Sequence, residues 1–157
     1  MPQPWIQQAK DYTPRFRSRI YAIQSLYSLE INAKDIDATI HSIKRQFPDK
    51  DKIYEFTHDL VAITVQNQTS IESKIQEFFD PGEVERLPVL TRIILKAAIS
   101  EFRYFNTIPV EATINEALEL GRFFGLDDTL GLINAILDKI AVSMAIKKPE
   151  DHENSDH

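Results

Sequence analysis

The sequence predicts an all-α protein, and two observations carry that prediction. Apolar residues recur at intervals of three and four through most of the 157-residue chain, which places them on one face of an α-helix. No segment alternates apolar and polar residues at a period of two, so no sheet is predicted. The chain has only 4 glycines, and its prolines fall between the periodic segments, where they mark helix boundaries.

The segment 90–105 is predicted to form a central helix. It is apolar around most of its circumference, and such a helix is normally buried between layers on both sides. Pro88 precedes it and Pro109 follows it, and both are natural boundaries because proline cannot donate a backbone hydrogen bond. We therefore expect a helical domain over 14–147 whose subdomains, about 14–80 and 83–147, pack around this helix.

The remaining helices are predicted from periodicity and boundary residues at 14–32, 36–47, 51–79, 110–124 and 129–145. Thr13 and Asp35 are candidate N-caps of the first two, and Asp127 or Asp128 of the last. Segment 51–79 is either one long bent helix or two helices broken near Asn67. Asp80-Pro81-Gly82 is a turn signal, followed by a short turn at 83–87, and Gly125 is placed to end the helix over 110–124.

The chain ends differ from this helical part in composition. Residues 1–13 are polar, with two prolines and a single tryptophan, and are predicted to be a flexible N-terminal segment. Residues 148–157 are predicted to be a disordered acidic tail. The net charge of the whole chain is −6. Four carboxylates of the tail account for most of it, and the chain through Pro149 carries −2, so the distribution of charge matters more than its sum.

Composition also narrows the function classes. The chain has no cysteine, hence no disulfide framework and no thiolate metal site. Its four histidines lack ligand spacing, and we find no glycine-rich phosphate loop and no Ser/His/Asp arrangement. The pairs Glu116/Glu119 and Asp127/Asp128 are typical of solvated helix faces and caps. We therefore predict a binding protein, with no catalytic residue, metal or cofactor. With no signal peptide and no membrane span, a cytoplasmic protein is expected.

Three segments, in the right order, carry a resemblance to a known family. Segment 108–141 matches a family pattern at Ile108-Pro109, Ile114-Asn115-Glu116-Ala117, Glu119-Leu120, Phe124-Gly125 and Leu137-Asp138-Lys139. Upstream, RIILKAAISEF is similar to the family's central helix. At the start, Arg15, Arg17 and Arg19 precede AIQSLYS, as in an arginine-rich family motif. Over about residues 15 to 142 the chain resembles the NusB family of bacterial transcription antitermination factors.

The resemblance implies an all-α, NusB-like fold of two packed helical subdomains around the central helix. It also implies a function without catalysis, in which the protein binds the boxA element of ribosomal RNA leader transcripts. The implied protein partners are the ribosomal small-subunit protein NusE and the antitermination complex on RNA polymerase. No membrane partner is implied, and we expect a monomer or weak homodimer.

Site residues carried over from the family fall into two groups. The RNA-binding group is Arg15, Arg17, Arg19, Tyr27, Arg122, Asp128 and Thr129. The partner-binding group is Arg92, Lys96 and Glu101. Arginines near a helix N-terminus suit phosphate contacts, and a tyrosine can stack on an unpaired base. Each role has a structural alternative. Tyr27 can pack in the core, and the arginines can form a solvated helix start.

The chain also departs from the family pattern. Phe16 stands where the family often has another arginine, and Gly131 and Leu132 replace a basic and aromatic pair. Ala135 replaces a glycine, and Thr91 replaces an acidic residue that helps contact NusE in some members. With the net acidity, these departures favour an alternative: a protein–protein adaptor on the same fold with weakened or lost RNA binding. A third possibility, the accessory domain of an RNA methyltransferase, is not expected, because the 157 residues contain no cofactor-binding catalytic domain.

Overall fold

The computed structural model describes residues 11–146, and within that range the protein contains α-helices and one short 3₁₀ helix but no β-strand. The α-helices are α1 (Pro14–Ile31), α2 (Ile36–Gln46), α3 (Asp51–Gln66), α4 (Gln68–Gln76), α5 (Glu83–Arg86), α6 (Val89–Tyr104), α7 (Val110–Phe123) and α8 (Leu130–Ser143). The all-α prediction is confirmed. The predictions for residues 1–10 and for the tail lie outside the described residues. No described helix is long and apolar enough to cross a bilayer.

Helix α6 is the central helix that the sequence predicts. Ten of its sixteen residues are buried. It packs against α1, α3 and α4, which precede it in the chain, and against α7 and α8, which follow it. Three of the buried residues, Thr91, Ser100 and Glu101, are polar, and each finds an internal hydrogen-bond partner. Because α6 contacts helices from both predicted subdomains, their boundary near residues 80–83 stays a prediction.

Local boundary signals explain where most helices begin and end. The Phe16 amide donates to the Thr13 hydroxyl at 3.2 Å, and the Ala38 amide donates to the Asp35 carboxylate at 3.1 Å, so both predicted caps are confirmed. Segment 51–79 forms two helices. They separate at Asn67, whose side-chain amide donates to the Ile63 carbonyl at 2.8 Å.

The junction between α7 and α8 contains one confirmed and one wrong prediction. Gly125 ends α7 with φ +74°, and the Leu126 amide donates to the Gly121 carbonyl at 2.8 Å, as in a Schellman motif. Neither Asp127 nor Asp128 caps α8. They lie in the 3₁₀ helix, and Thr129 occupies the cap position without a side-chain cap hydrogen bond, because the intervening turn shifts the helix start.

Candidate nucleic-acid interface

The three arginines at the start of α1 occupy three different environments. Arg15 is exposed, and its guanidinium lies 3.9 Å from the centre of the Phe56 ring, a cation–π contact. No carboxylate within the described part of the chain pairs with it. Arg15 is therefore the arginine of this cluster that is free to meet a phosphate.

Arg17 is held by an internal ion pair. Its Nε donates to Asp49 Oδ2 at 2.8 Å, its Nη2 donates to Asp49 Oδ1 at 3.3 Å, and its Nη1 donates to the Tyr12 carbonyl at 2.9 Å. The Tyr21 hydroxyl donates to the same carboxylate at 2.7 Å. Burial raises the pKa of Asp49, but the hydrogen bonds from Arg17 and Tyr21 outweigh it and hold that pKa below its usual value. Arg17 thus ties the start of α1 to the α2–α3 loop.

Arg19 and Glu101 are buried together, each about 4% exposed. Arg19 Nε donates to Glu101 Oε2 at 3.0 Å and Nη2 donates to Oε1 at 2.7 Å, a bidentate pair. The third donor, Nη1, reaches Glu116 Oε2 at 3.3 Å. Burial raises the pKa of Glu116, and Arg19 opposes that shift. The predictions that Arg19 contacts RNA and Glu101 contacts a partner do not fit this burial, because the two charged groups satisfy each other inside the fold.

Arg122 lies at the end of α7, beside the start of α1. The residue after it, Phe123, packs edge-on against Tyr12 and Phe16, with ring centres 5.7 and 6.2 Å apart. These contacts bring the last turn of α7 to the first turn of α1. Arg122 itself is exposed and pairs with Glu119 one turn earlier. Phe16, where the family often has an arginine, is a buried member of this aromatic cluster.

The N-terminal end of α6 lies close to Thr129 and to the second half of α1, and it carries Arg92. The hydroxyls of Thr91 and Thr129 are 3.0 Å apart, and Thr129 also donates to the Leu126 carbonyl. Arg92, next to Thr91 along α6, lies 3.8 Å from Glu30 of α1. Tyr27, one turn before Glu30, is 38% exposed. Core packing therefore does not account for its whole ring.

Five of the predicted RNA-binding residues lie outside the core. Arg15, Tyr27, Arg122 and Asp128 are exposed, and Thr129 is half-buried. The Phe123 ring contacts bring the end of α7, with Arg122, to the start of α1, and Thr129 contacts Thr91 near the ion pair of Arg92 with Glu30, one turn after Tyr27. Asp128 is exposed in the 3₁₀ helix. We define this set of five residues as the candidate RNA strip.

The predicted partner-binding residues Arg92 and Lys96 line a separate groove. Lys96 Nζ lies 3.1 Å from Glu72 of α4. Arg92 makes only the loose contact with Glu30, and its Nε is buried without a hydrogen-bond acceptor. The groove, about 300 Å³, lies among α1, α4, α5 and α6. Arg92 therefore keeps donor capacity that the described residues do not use.

Three positioning roles were not predicted from the sequence, and one of them belongs to Glu116, which was expected on a solvated helix face. Asp49, Glu116 and Phe56 each fix an arginine of α1 from another helix or loop. The carboxylates are 32 and 97 residues away in sequence from the arginines they bind, and no local pattern marks them. Asn115 of α7 and Asn134 of α8 are both exposed. Among residues 11–146, no group of three His, Cys, Asp or Glu residues could hold a metal ion.

Comparisons with known proteins agree with this architecture. The model of the NusB family matches residues 17–142. The transcription antitermination protein NusB of Citrifermentans bemidjiense is 33% identical over 144 residues, which cover 87% of this chain and 99% of that protein. The protein of the same name from Mannheimia succiniciproducens is 33% identical over 135 residues, covering 86% of this chain and 94% of that one.

A solved structure gives the same result at the level of the fold. T. maritima NusB superposes with a TM-score of 0.74 at 27% sequence identity, covering 82% of this chain and 91% of that chain. The family match spans most of α1 through nearly all of α8, so it includes every residue of the candidate RNA strip except Arg15. The chain belongs to the NusB family.

Proposed function

We propose that this protein is a transcription antitermination factor that binds boxA-type single-stranded RNA together with NusE. The observation that carries the RNA part is that two arginines and a tyrosine of the candidate RNA strip, Arg15, Arg122 and Tyr27, are exposed. Family membership supplies the biological context, because the relatives are named transcription antitermination proteins. The proposed role requires no catalysis and is exerted in the cytoplasm, on transcribing RNA polymerase.

Within the strip, each side chain takes the role that its chemistry suits. Arg15 and Arg122 contact phosphates, since exposed guanidinium groups form bidentate, charge-assisted hydrogen bonds to phosphate oxygens. Tyr27 stacks on an unpaired base. Asp128 and Thr129 shape the turn between α7 and α8. Arg17 and Arg19 act as positioning residues, because they hold α1 in place through Asp49 and Glu101.

NusE is proposed to bind beside the strip, at the groove lined by Arg92 and Lys96. Arg92 supports this placement, because its Nε has no acceptor within the described residues and its contact with Glu30 is loose. A carboxylate or carbonyl from a partner would supply that acceptor. Because Arg92 adjoins Thr91, which contacts Thr129, a partner seated there would lie next to the bound RNA.

The test is fluorescence anisotropy with a labelled boxA-type RNA, with and without NusE from the same organism, at two salt concentrations. Binding that NusE strengthens and salt weakens is the expected result. The salt dependence should be linear in log–log form, with a slope of about −0.7 for each phosphate contact to a single strand. RNA binding by NusE alone that this chain does not improve would contradict the proposal.

A protein–protein adaptor is the second candidate, and specific observations favour it. Two of the three arginines in the α1 cluster are engaged internally, and Leu132 offers no aromatic ring at the family's stacking position. An adaptor would form a complex with NusE whose RNA affinity equals that of NusE alone. The same titration therefore separates the two candidates.

A further inference from the structure

A pocket of about 380 Å³ opens beside the last turns of α1, between that helix, the start of α2, the junction of α3 with α4, and α6. Its volume lies in the range typical of ligand pockets. Thr64, in its wall, is 2% exposed and donates its hydroxyl hydrogen to the Leu60 carbonyl at 2.7 Å, so that donor is already used. The pocket therefore suits an apolar group. Its apolar lining consists of Leu26, Leu29, Ala33, Ile36, Val65 and Ile93.

The pocket adjoins the groove proposed for NusE. Glu30, Gln68 and Lys96 line both of them, so the two spaces share a wall. In that wall Glu30 lies 3.8 Å from Arg92, and Lys96 Nζ lies 3.1 Å from Glu72. A partner segment that meets Arg92 in the groove is thus next to the mouth of the pocket.

Apolar side chains remain exposed around this pocket. Leu29, Ile36 and Val65 line it and are only half-buried. Ile31, in the last turn of α1 beside Glu30, is 58% exposed, the highest value among the large hydrophobic side chains that the structure describes. Apolar surface gathered in one place and rimmed by polar residues marks an interaction site.

The charges favour a protein segment over RNA as the occupant. A polyanion is attracted by an excess of positive charge, and the pocket and groove together have none. An apolar pocket beside a polar groove instead matches the anatomy of a protein interface, in which an apolar core is surrounded by a polar rim. The charged residues that line the two spaces are three carboxylates and three cations: Glu30, Glu72, Glu85, Lys34, Arg92 and Lys96.

We infer that this pocket receives apolar side chains of NusE, from the segment that lies in the adjoining groove. Aliphatic side chains of that segment pack on Leu29, Ile36 and Val65, while an acceptor of the same segment meets the Nε of Arg92. The inference rests on the proposed function, since it gives the NusE interface an apolar anchor. Anchors of this kind, seated in a pocket and shielded from water, contribute most of the affinity of an interface.

The first test places a large side chain at the mouth of the pocket. Ala33 lines the pocket and is exposed, so Ala33→Trp fills the mouth without changing the core. Titration calorimetry with NusE should show the affinity lowered about tenfold or more, as for other interface anchors. Ala38→Trp is the matched control. Ala38 is exposed on α2 and lies on the opposite face of that helix from Ile36, so this variant should bind NusE normally.

A second variant removes apolar surface from the pocket and adds no bulk. Leu29→Ala should also lower the NusE affinity about tenfold. Its heat capacity change of binding should be less negative than that of the unmodified chain, because less apolar surface is buried in the complex. Neither Leu29→Ala nor Ala33→Trp should change the RNA affinity of the chain alone. Should Ala33→Trp fail to fold by circular dichroism, Leu29→Ala against Ala38→Trp decides.

Arg92→Ala separates this inference from the proposed function. If it weakens NusE binding while Ala33→Trp and Leu29→Ala bind NusE normally, the inference is overturned and the proposed function stands. If the two pocket variants weaken RNA binding only, or change only the self-association measured by sedimentation, the pocket belongs to RNA or to a second copy of the chain. Either result overturns the inference. If NusE does not bind the unmodified chain, the proposed function fails first and the inference fails with it.

Discussion

Replacing Glu101 with alanine is expected to lower the free energy of unfolding by about 3–5 kcal/mol, the usual cost of breaking a buried ion pair from one side. Glu101 accepts two hydrogen bonds from Arg19, at 2.7 and 3.0 Å. Without it, the guanidinium of Arg19 keeps only the contact to Glu116 at 3.3 Å. A charge about 4% exposed would then have a single, partly solvated partner.

Glu116→Ala is the matched control, because it removes a carboxylate from the same arginine on its outer side. Glu116 accepts one bond, and its side chain is 32% exposed. Its loss should cost about 1.5 kcal/mol, the low end for hydrogen bonds to charged groups. Urea unfolding of both variants, followed by circular dichroism, gives the two free energies, and equal m-values are needed for the comparison.

The double variant Arg19→Met/Glu101→Leu tests the assigned role of Arg19. Replacing both partners of a buried ion pair with apolar residues is often neutral or stabilising, so this protein should fold with near-native stability. Since Arg19 does not reach the surface, RNA affinity should stay within about threefold of the unmodified chain. A loss below about 1 kcal/mol in Glu101→Ala, or a folded double variant that no longer binds RNA, would refute this reasoning.

Three other predictions concern the strip and its support. Arg15→Ala with Arg122→Ala should weaken RNA binding and reduce the log–log salt slope by about 1.4, about 0.7 per lost phosphate contact, as titrations at several salt concentrations will measure. Tyr27→Ala should cost about 1–3 kcal/mol of RNA binding, whereas Tyr27→Phe should bind normally, because stacking needs the ring and not the hydroxyl. The pKa of Asp49 is depressed in the fold, so its interaction with Arg17 stabilises the protein above pH about 4 and is lost as pH falls through the lower, folded pKa. Urea midpoints should therefore show Asp49→Asn less stable than the unmodified chain at pH 6, with the difference shrinking below pH 4, and a constant difference would contradict the assignment.

Much of the fold was predictable because helices are encoded locally. The central helix follows from apolar residues around most of one segment, and α6 is indeed buried over most of its length. Thr13 and Asp35 cap α1 and α2 as their side-chain chemistry predicts. Gly125 ends α7 because it adopts a positive φ at little steric cost. Each of these depends on residues within a few positions of one another.

The cap of α8 was not predictable by the same rules. Asp127 and Asp128 both suit an N-cap position, but the chain first forms a 3₁₀ turn that carries them away from the helix start. Thr129 then occupies the cap, where its hydroxyl contacts Thr91 of the buried α6. A contact to another helix thus replaces the local capping bond, and the aspartates stay in the exposed turn.

The sequence by itself determined the helical class, the order and approximate bounds of the helices, and the family resemblance, because these depend on local spacing and on motifs. It placed Arg15 and Arg19 on the same face of one helix, four residues apart. Only the tertiary structure decided which of them faces solvent. Arg19 meets Glu101, 82 residues later in the chain, and is buried with it, while Arg15 stacks on Phe56 and keeps its donors in water. Availability for RNA is a property of long-range packing, and no periodicity within α1 could reveal it.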